Sequence, residues 1–127
     1  LPGVGARMED GWETRRRREP GNDWTIIALG RPGTIERVEI DTNQFKGNYP
    51  DQASLQAAYL PGMDDAALIP LSLYWPILMK SQKLGPNRLH RFTKEIAALG
   101  PATHVRFNIF PDGGVNRLRM FGRIEQR

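Results

Sequence analysis

Cysteine is absent from the 127-residue chain and histidine occurs only twice, at His90 and His104. Without cysteine there is no disulfide framework and no thiolate metal site, and nothing argues for an oxidising compartment. Two histidines far apart in sequence give none of the close His pairs that transition-metal sites use. No apolar run is long either. The longest, Ala66 to Met79, is broken by Pro70 and Pro76 and is too short to span a bilayer. The chain opens on no signal peptide pattern, so the expectation is a cytoplasmic protein that binds no membrane. No repeat and no low-complexity tract is present.

What is there fits one ordinary domain: 39% hydrophobic and 25% charged residues, with a net charge of +4. That length supports a single core, and the charge favours anionic partners without selecting one. The most informative stretch is Thr103 to Gly122. Val105, Phe107 and Ile109 alternate with His104, Arg106 and Asn108, and Leu118 and Met120 alternate with Arg117, Arg119 and Phe121. A period of two puts each set on one strand face. Pro111-Asp112-Gly113-Gly114 between them is turn chemistry, so the pattern predicts a hairpin with an apolar face and a cationic, hydrogen-bonding face.

Upstream, Arg15 to Arg18 form a run beside Trp12 and Glu13, readable as a solvated segment or as an anion-binding loop of guanidinium forks. Trp24–Leu29 predicts a strand buried on both faces, Gly30–Gly33 a turn, and Thr34–Asp41 a strand in which Ile35 falls out of phase, as at a bulge near Glu36. Thr42–Gln52 is a polar loop of the kind that carries function on a rigid sheet. Ala53–Tyr59 predicts a strand with Leu55 inward. Leu68–Leu78 holds strand residues punctuated by prolines, and Leu89–Leu99 fits either a helical stripe or an extended segment, the latter preferred. Six or more short strands with Gly- and Pro-rich turns imply an all-β sandwich or barrel.

Three stretches together resemble allantoicase: DGWETRRRREPGNDW (Asp10–Trp24), VEIDTNQFKGNYPDQASLQA (Val38–Ala57) and THVRFNIFPDGGVNRLRMFG (Thr103–Gly122). The resemblance implies a jelly-roll β-sandwich of the galactose-binding-domain-like type. It also implies one repeat over residues 1–127, of the second, C-terminal kind, without the early segment that usually precedes LPG. Members of the family, allantoate amidinohydrolases, cleave a non-peptide C–N bond of allantoate, giving ureidoglycolate and urea in purine breakdown. The implied partners are allantoate, a second repeat and further copies of the subunit. Nucleic acid is not among them, because the arginines lack interleaved exposed aromatics. No cofactor is implied, although some members are thought to respond to divalent metal.

Allantoate carries one carboxylate and two ureido arms. Its recognition calls for a cation, for amide-like donors and acceptors, and for an acid and a base. Arg15, Arg16, Arg106, Arg117 and Arg119, with Lys46, are the candidate carboxylate binders. Asn48 and Asn108 suit a ureido group. Glu13 and His104 are the candidate catalytic pair, with Asp112 a weaker third. Each has a plainer reading: His104 as a surface residue bonded to a neighbour, Arg117 and Arg119 as cross-strand partners of Glu39 or Asp41, Asp112 as a turn residue, and Trp12 and Trp24 as core anchors. The competing function is a non-catalytic jelly-roll module binding a small anionic or carbohydrate ligand.

Overall fold

The computed structural model describes residues 5–10 and 23–125. Among the described residues, seven strands make one curled antiparallel sheet in the order β1-β7-β2-β6-β3-β4, with β5 also paired to β2. They are β1 (Gly5–Asp10), β2 (Asp23–Asp41), β3 (Gln52–Ala58), β4 (Ile77–Lys83), β5 (Leu89–Phe92), β6 (Pro101–Phe110) and β7 (Arg117–Ile124). A short helix, α1 (Asp65–Leu71), and a 3-10 turn (Ser72–Tyr74) connect β3 to β4.

The spine is β2. Its first part, Asp23 to Ala28, pairs with β6, and its second part, Gly33 to Asp41, pairs with β7. The Gly30–Gly33 segment, expected to be a turn, is instead a bend within a continuous strand, marked by a register shift between Ala28 and Gly33. Glycine and proline break the ladder there without ending the extended backbone. Pro32 still contributes, because its carbonyl accepts the Glu125 N–H at 2.8 Å. The second irregularity, between Ile35 and Arg37, is the bulge that the out-of-phase Ile35 announced.

The hairpin expectation fails. β6 and β7 are not neighbours; β2 lies between them in the sheet order. The Pro111–Asn116 connection passes from one half of the curled sheet to the other, so alternation was read correctly and pairing was not. The inward faces of both halves share one core. Val105, Phe107 and Ile109 of β6 meet Leu118 and Met120 of β7, Val38 and Ile40 of β2, and Leu55 of β3, all buried. The outward faces therefore point to opposite sides of the molecule.

Residues 65–74 correct the second expectation. Leu68, Ser72 and Trp75 are buried, a spacing of four and three that places them on one helical side. That side covers the outer face of the β2–β6–β3 half. Gln56 Nε2 fixes the end of the turn by donating to the carbonyls of Leu73 at 2.9 Å and Trp75 at 3.0 Å. Leu89–Leu99 is extended only over β5 and then turns, touching the sheet again through the Met79–Ile96 bridge.

Candidate functional site

Alternation along β6 aims His104, Arg106 and Asn108 at the face covered by α1. Arg106 and Asn108 are buried there. Arg106 Nη1 donates to Ser72 Oγ at 2.6 Å, and its Nε donates to Asn108 Oδ1 at 2.9 Å. The guanidinium also lies 4.4 Å from the centre of the Trp24 ring. Trp24 is thus a platform for a cation on the outer face, not a core anchor. Asn108 Nδ2 donates to Gln56 Oε1 at 3.1 Å. A buried guanidinium bonded at several atoms is held in one orientation.

His104 lies farther along the same face. Its Nδ1 is 2.7 Å from Thr103 Oγ1, and its ring sits 6.2 Å from that of Trp75. It borders a cavity of about 190 Å³ with Ile26, Ala28, Asp65, Leu68 and Ile69. An imidazole and a carboxylate on one small apolar cavity could exchange a proton with a guest. Asp65 was absent from the sequence reading, because α1 itself was.

Arg117 and Arg119 point from the opposite outer face. Arg119 Nη1 stands 3.7 Å from Glu39 Oε1, and Arg91 Nε donates to Glu39 Oε2 at 2.9 Å. Arg117 is in register with Asp41. The cross-strand pairing with Glu39 is therefore present, and neither arginine shares a face with Arg106.

A third group gathers at one end of the sandwich. Residues 42–51 follow β2 and are stitched on both sides. Thr42 Oγ1 donates to the Gly85 carbonyl at 2.7 Å, Asn87 N–H donates to the Phe45 carbonyl at 3.0 Å, and Gly114 N–H donates to the Asn48 carbonyl at 2.6 Å. Gly113, at φ +134°, runs against the Tyr49–Pro50 backbone, where a Cβ would sit 2.6 Å from the Tyr49 carbonyl carbon. The loop and the Pro111–Asn116 connection thereby form the walls of a cleft of about 290 Å³, lined by Asn48, Tyr49, Asp51, Asp112 and Gly113 among others. Lys46 is exposed in the same loop. Asp51 is held below the usual carboxylate range, chiefly by its hydrogen bond from Lys83 Nζ at 2.9 Å.

Glu13, Arg15 and Arg16 lie outside the described residues. The strands flanking them do not. β1 ends at Asp10, in register with Leu118, and β2 begins at Asp23, in register with Ile109. Both flanks stand at the end of the sandwich that carries the Asn48–Asp112 cleft. His104 does not: it is six residues from Phe110 on β6, about 20 Å at ~3.4 Å per residue. Among the described residues no group of three or more histidine, aspartate or glutamate side chains could hold a metal ion, and no helix is long and apolar enough to cross a membrane.

The model of the allantoicase repeat matches residues 1–125. The chain belongs to the allantoicase family. A probable allantoicase of Burkholderia mallei is 60% identical over 126 residues, covering 99% of this chain and 37% of the relative. The crystal structure of the Saccharomyces cerevisiae allantoicase superposes with a TM-score of 0.67 at 34% identity, over 88% of this chain and 31% of that one. The chain thus spans little more than a third of the curated relatives it matches. A fucolectin from striped bass serum shares the fold alone, at 8% identity and a TM-score of 0.57 over 96% of this chain and 46% of its own. The allantoicase repeat is accordingly a jelly-roll β-sandwich of the galactose-binding type.

Proposed function

We propose that this allantoicase repeat takes part in the hydrolysis of allantoate to ureidoglycolate and urea in the cytoplasm, as the C-terminal-type repeat of a longer, oligomeric enzyme that supplies a second repeat. The observation that carries the reading is the family match across residues 1–125. The grouping of loops at one end of the sandwich supports it. There the cleft lined by Asn48 and Asp112 lies beside both flanks of the segment bearing Glu13, Arg15 and Arg16.

In this reading the arginines and Lys46 hold the substrate carboxylate, a planar anion that guanidinium meets with two parallel hydrogen bonds. Asn48 offers both a donor and an acceptor to one ureido arm. The bond broken joins the central carbon to a ureido nitrogen. Glu13 draws a proton from water, whose oxygen bonds to that carbon, and a proton passed to the leaving nitrogen releases urea. Arg106 and Asn108, interlocked under α1, keep β6 and its following loop in place. Arg117 and Arg119 set the charge of the opposite face.

The competing location for the chemistry is the cavity shared by His104 and Asp65. Urea release from allantoate, measured on the two-repeat protein, separates the two. Glu13→Gln should lower kcat by at least about 100-fold, the scale of a lost general base, whereas His104→Asn should change it less than threefold. The reverse pattern moves the reaction to the His104 cavity. A folded two-repeat protein that releases no urea refutes the function itself.

A further inference from the structure

The segment that pins Leu68, Ser72 and Trp75 into the molecule turns its other side entirely to solvent. Ile69, Leu71, Leu73, Tyr74 and Ile77 are all exposed, Leu73 at 62% and Tyr74 at 84%. From the sizes of these side chains the apolar ridge amounts to on the order of 600 Å², at the upper limit of what monomers leave open. Tyr59 and Met63, also exposed, extend it. The ridge is a fixed surface, not a loose loop. Arg106 grips Ser72 from below, and Gln56 holds the carbonyls on either side of Tyr74. A backbone held this way needs no further ordering on contact, which leaves only the exposed side chains to lose freedom.

Two observations bear on what covers it. Nearly two thirds of the length of the Burkholderia mallei relative lies outside the matched segment, and the family model matched by this chain is that of a repeat, which leaves room for a second one in the same polypeptide. The ridge also begins beside the edge where β1 starts, since the Tyr59 hydroxyl donates to Glu125 Oε2 at 3.2 Å and Gly5 is in register with Arg123, two residues before Glu125. We propose that the Ile69–Ile77 ridge is the surface on which the other repeat of the same polypeptide packs. About 800 Å² per partner is standard for a stable interface, which the ridge and its rim approach. The inference rests on the two-repeat reading above, not on the chemistry assigned to it.

The test replaces the matching segment of the Burkholderia mallei relative with this chain and compares that full-length protein with the chain alone. Hydroxyl-radical labelling of Tyr74 should slow at least tenfold in the full-length protein. Leu73→Glu should lower its melting temperature by several degrees and leave the chain alone within about one degree. Leu89→Glu, an exposed apolar position on β5 at the loop end, should affect neither. Equal labelling of Tyr74 in both proteins, or equal shifts from Leu73→Glu, overturns the proposal. So does Tyr74 protection in the chain alone that rises with concentration, which would make a second copy the occupant. Tyr74 protection without urea release keeps the interface and rejects the activity.

Discussion

Ser72→Ala is the sharpest single probe of how the outer face is built. The serine hydroxyl is buried, donates to the Ile69 carbonyl at 2.7 Å and accepts from Arg106 Nη1 at 2.6 Å. Removing it leaves a buried charged donor without that acceptor, a loss of about 1.5–3 kcal/mol for a hydrogen bond to a charged group. The bond to Ile69 adds about 1 kcal/mol. The expected total is about 3 kcal/mol, and the melting temperature of a domain this size should fall by about 10 °C. The assay is urea unfolding followed by circular dichroism, run as a double-mutant cycle with Arg106→Met. The cycle should give a coupling of at least about 1.5 kcal/mol. A loss below about 0.5 kcal/mol for Ser72→Ala, the size of an ordinary surface change, would refute the claim that Arg106 fastens the ridge to β6.

Phe107, fully buried at the centre of the core, should cost about 3–5 kcal/mol when changed to alanine, read by the same unfolding curves. Gly113→Ala requires both a disfavoured φ of +134° and space that the Tyr49 and Pro50 backbone occupies. It should destabilise the domain by about 2 kcal/mol or more, and hydrogen exchange at the Gly114 amide, which bonds the Asn48 carbonyl, should accelerate with it. Lys83 favours the ionised form of Asp51 and holds its pKa below the usual carboxylate range, so this pair stabilises the fold above the ordinary carboxylate range and the contribution is lost as pH falls through the lowered native value. On the lysine side, Asp51 raises Lys83, and stability present below the ordinary lysine value is lost as pH rises through the native one. Lys83→Met should raise Asp51 towards the usual range in an NMR titration, with the Gln52 hydrogen bond still holding it somewhat below; an unmoved Asp51 would refute the assignment.

Local alternation and its defects were legible because they depend on neighbouring residues alone. The period of two in Val105–Ile109 and the phase slip at Ile35 both appear as read. Pairing was not legible, because β6 and β7 have the same pattern whether they lie side by side or on opposite halves of the sheet. α1 was hidden by Pro70 and Pro76, which read as breaks. The Leu68–Ser72–Trp75 spacing was the signal that could have revealed it, and with it Asp65. For the site, the residue types a ureido acid demands were visible, but the assumption of a shared face for Arg106, Arg117 and Arg119 depended on the hairpin. The association of residues 42–51 with the Pro111–Asn116 connection came from backbone bonds, such as Gly114 to Asn48, that no side-chain pattern encodes.

The length of β2 has a consequence for how the molecule comes apart. One uninterrupted strand is bonded to β5, β6 and β7, so peeling either half away strips the same backbone that secures the other. Opening should be all-or-none, with the β2 amides that pair on either side of the Gly30–Gly33 bend, in Trp24–Ala28 and Arg37–Ile40, the slowest to exchange with solvent. A single backbone cut near Pro32 would divide that linkage and leave the shared core alone to hold the halves together, so the melting temperature should fall while the transition stays single.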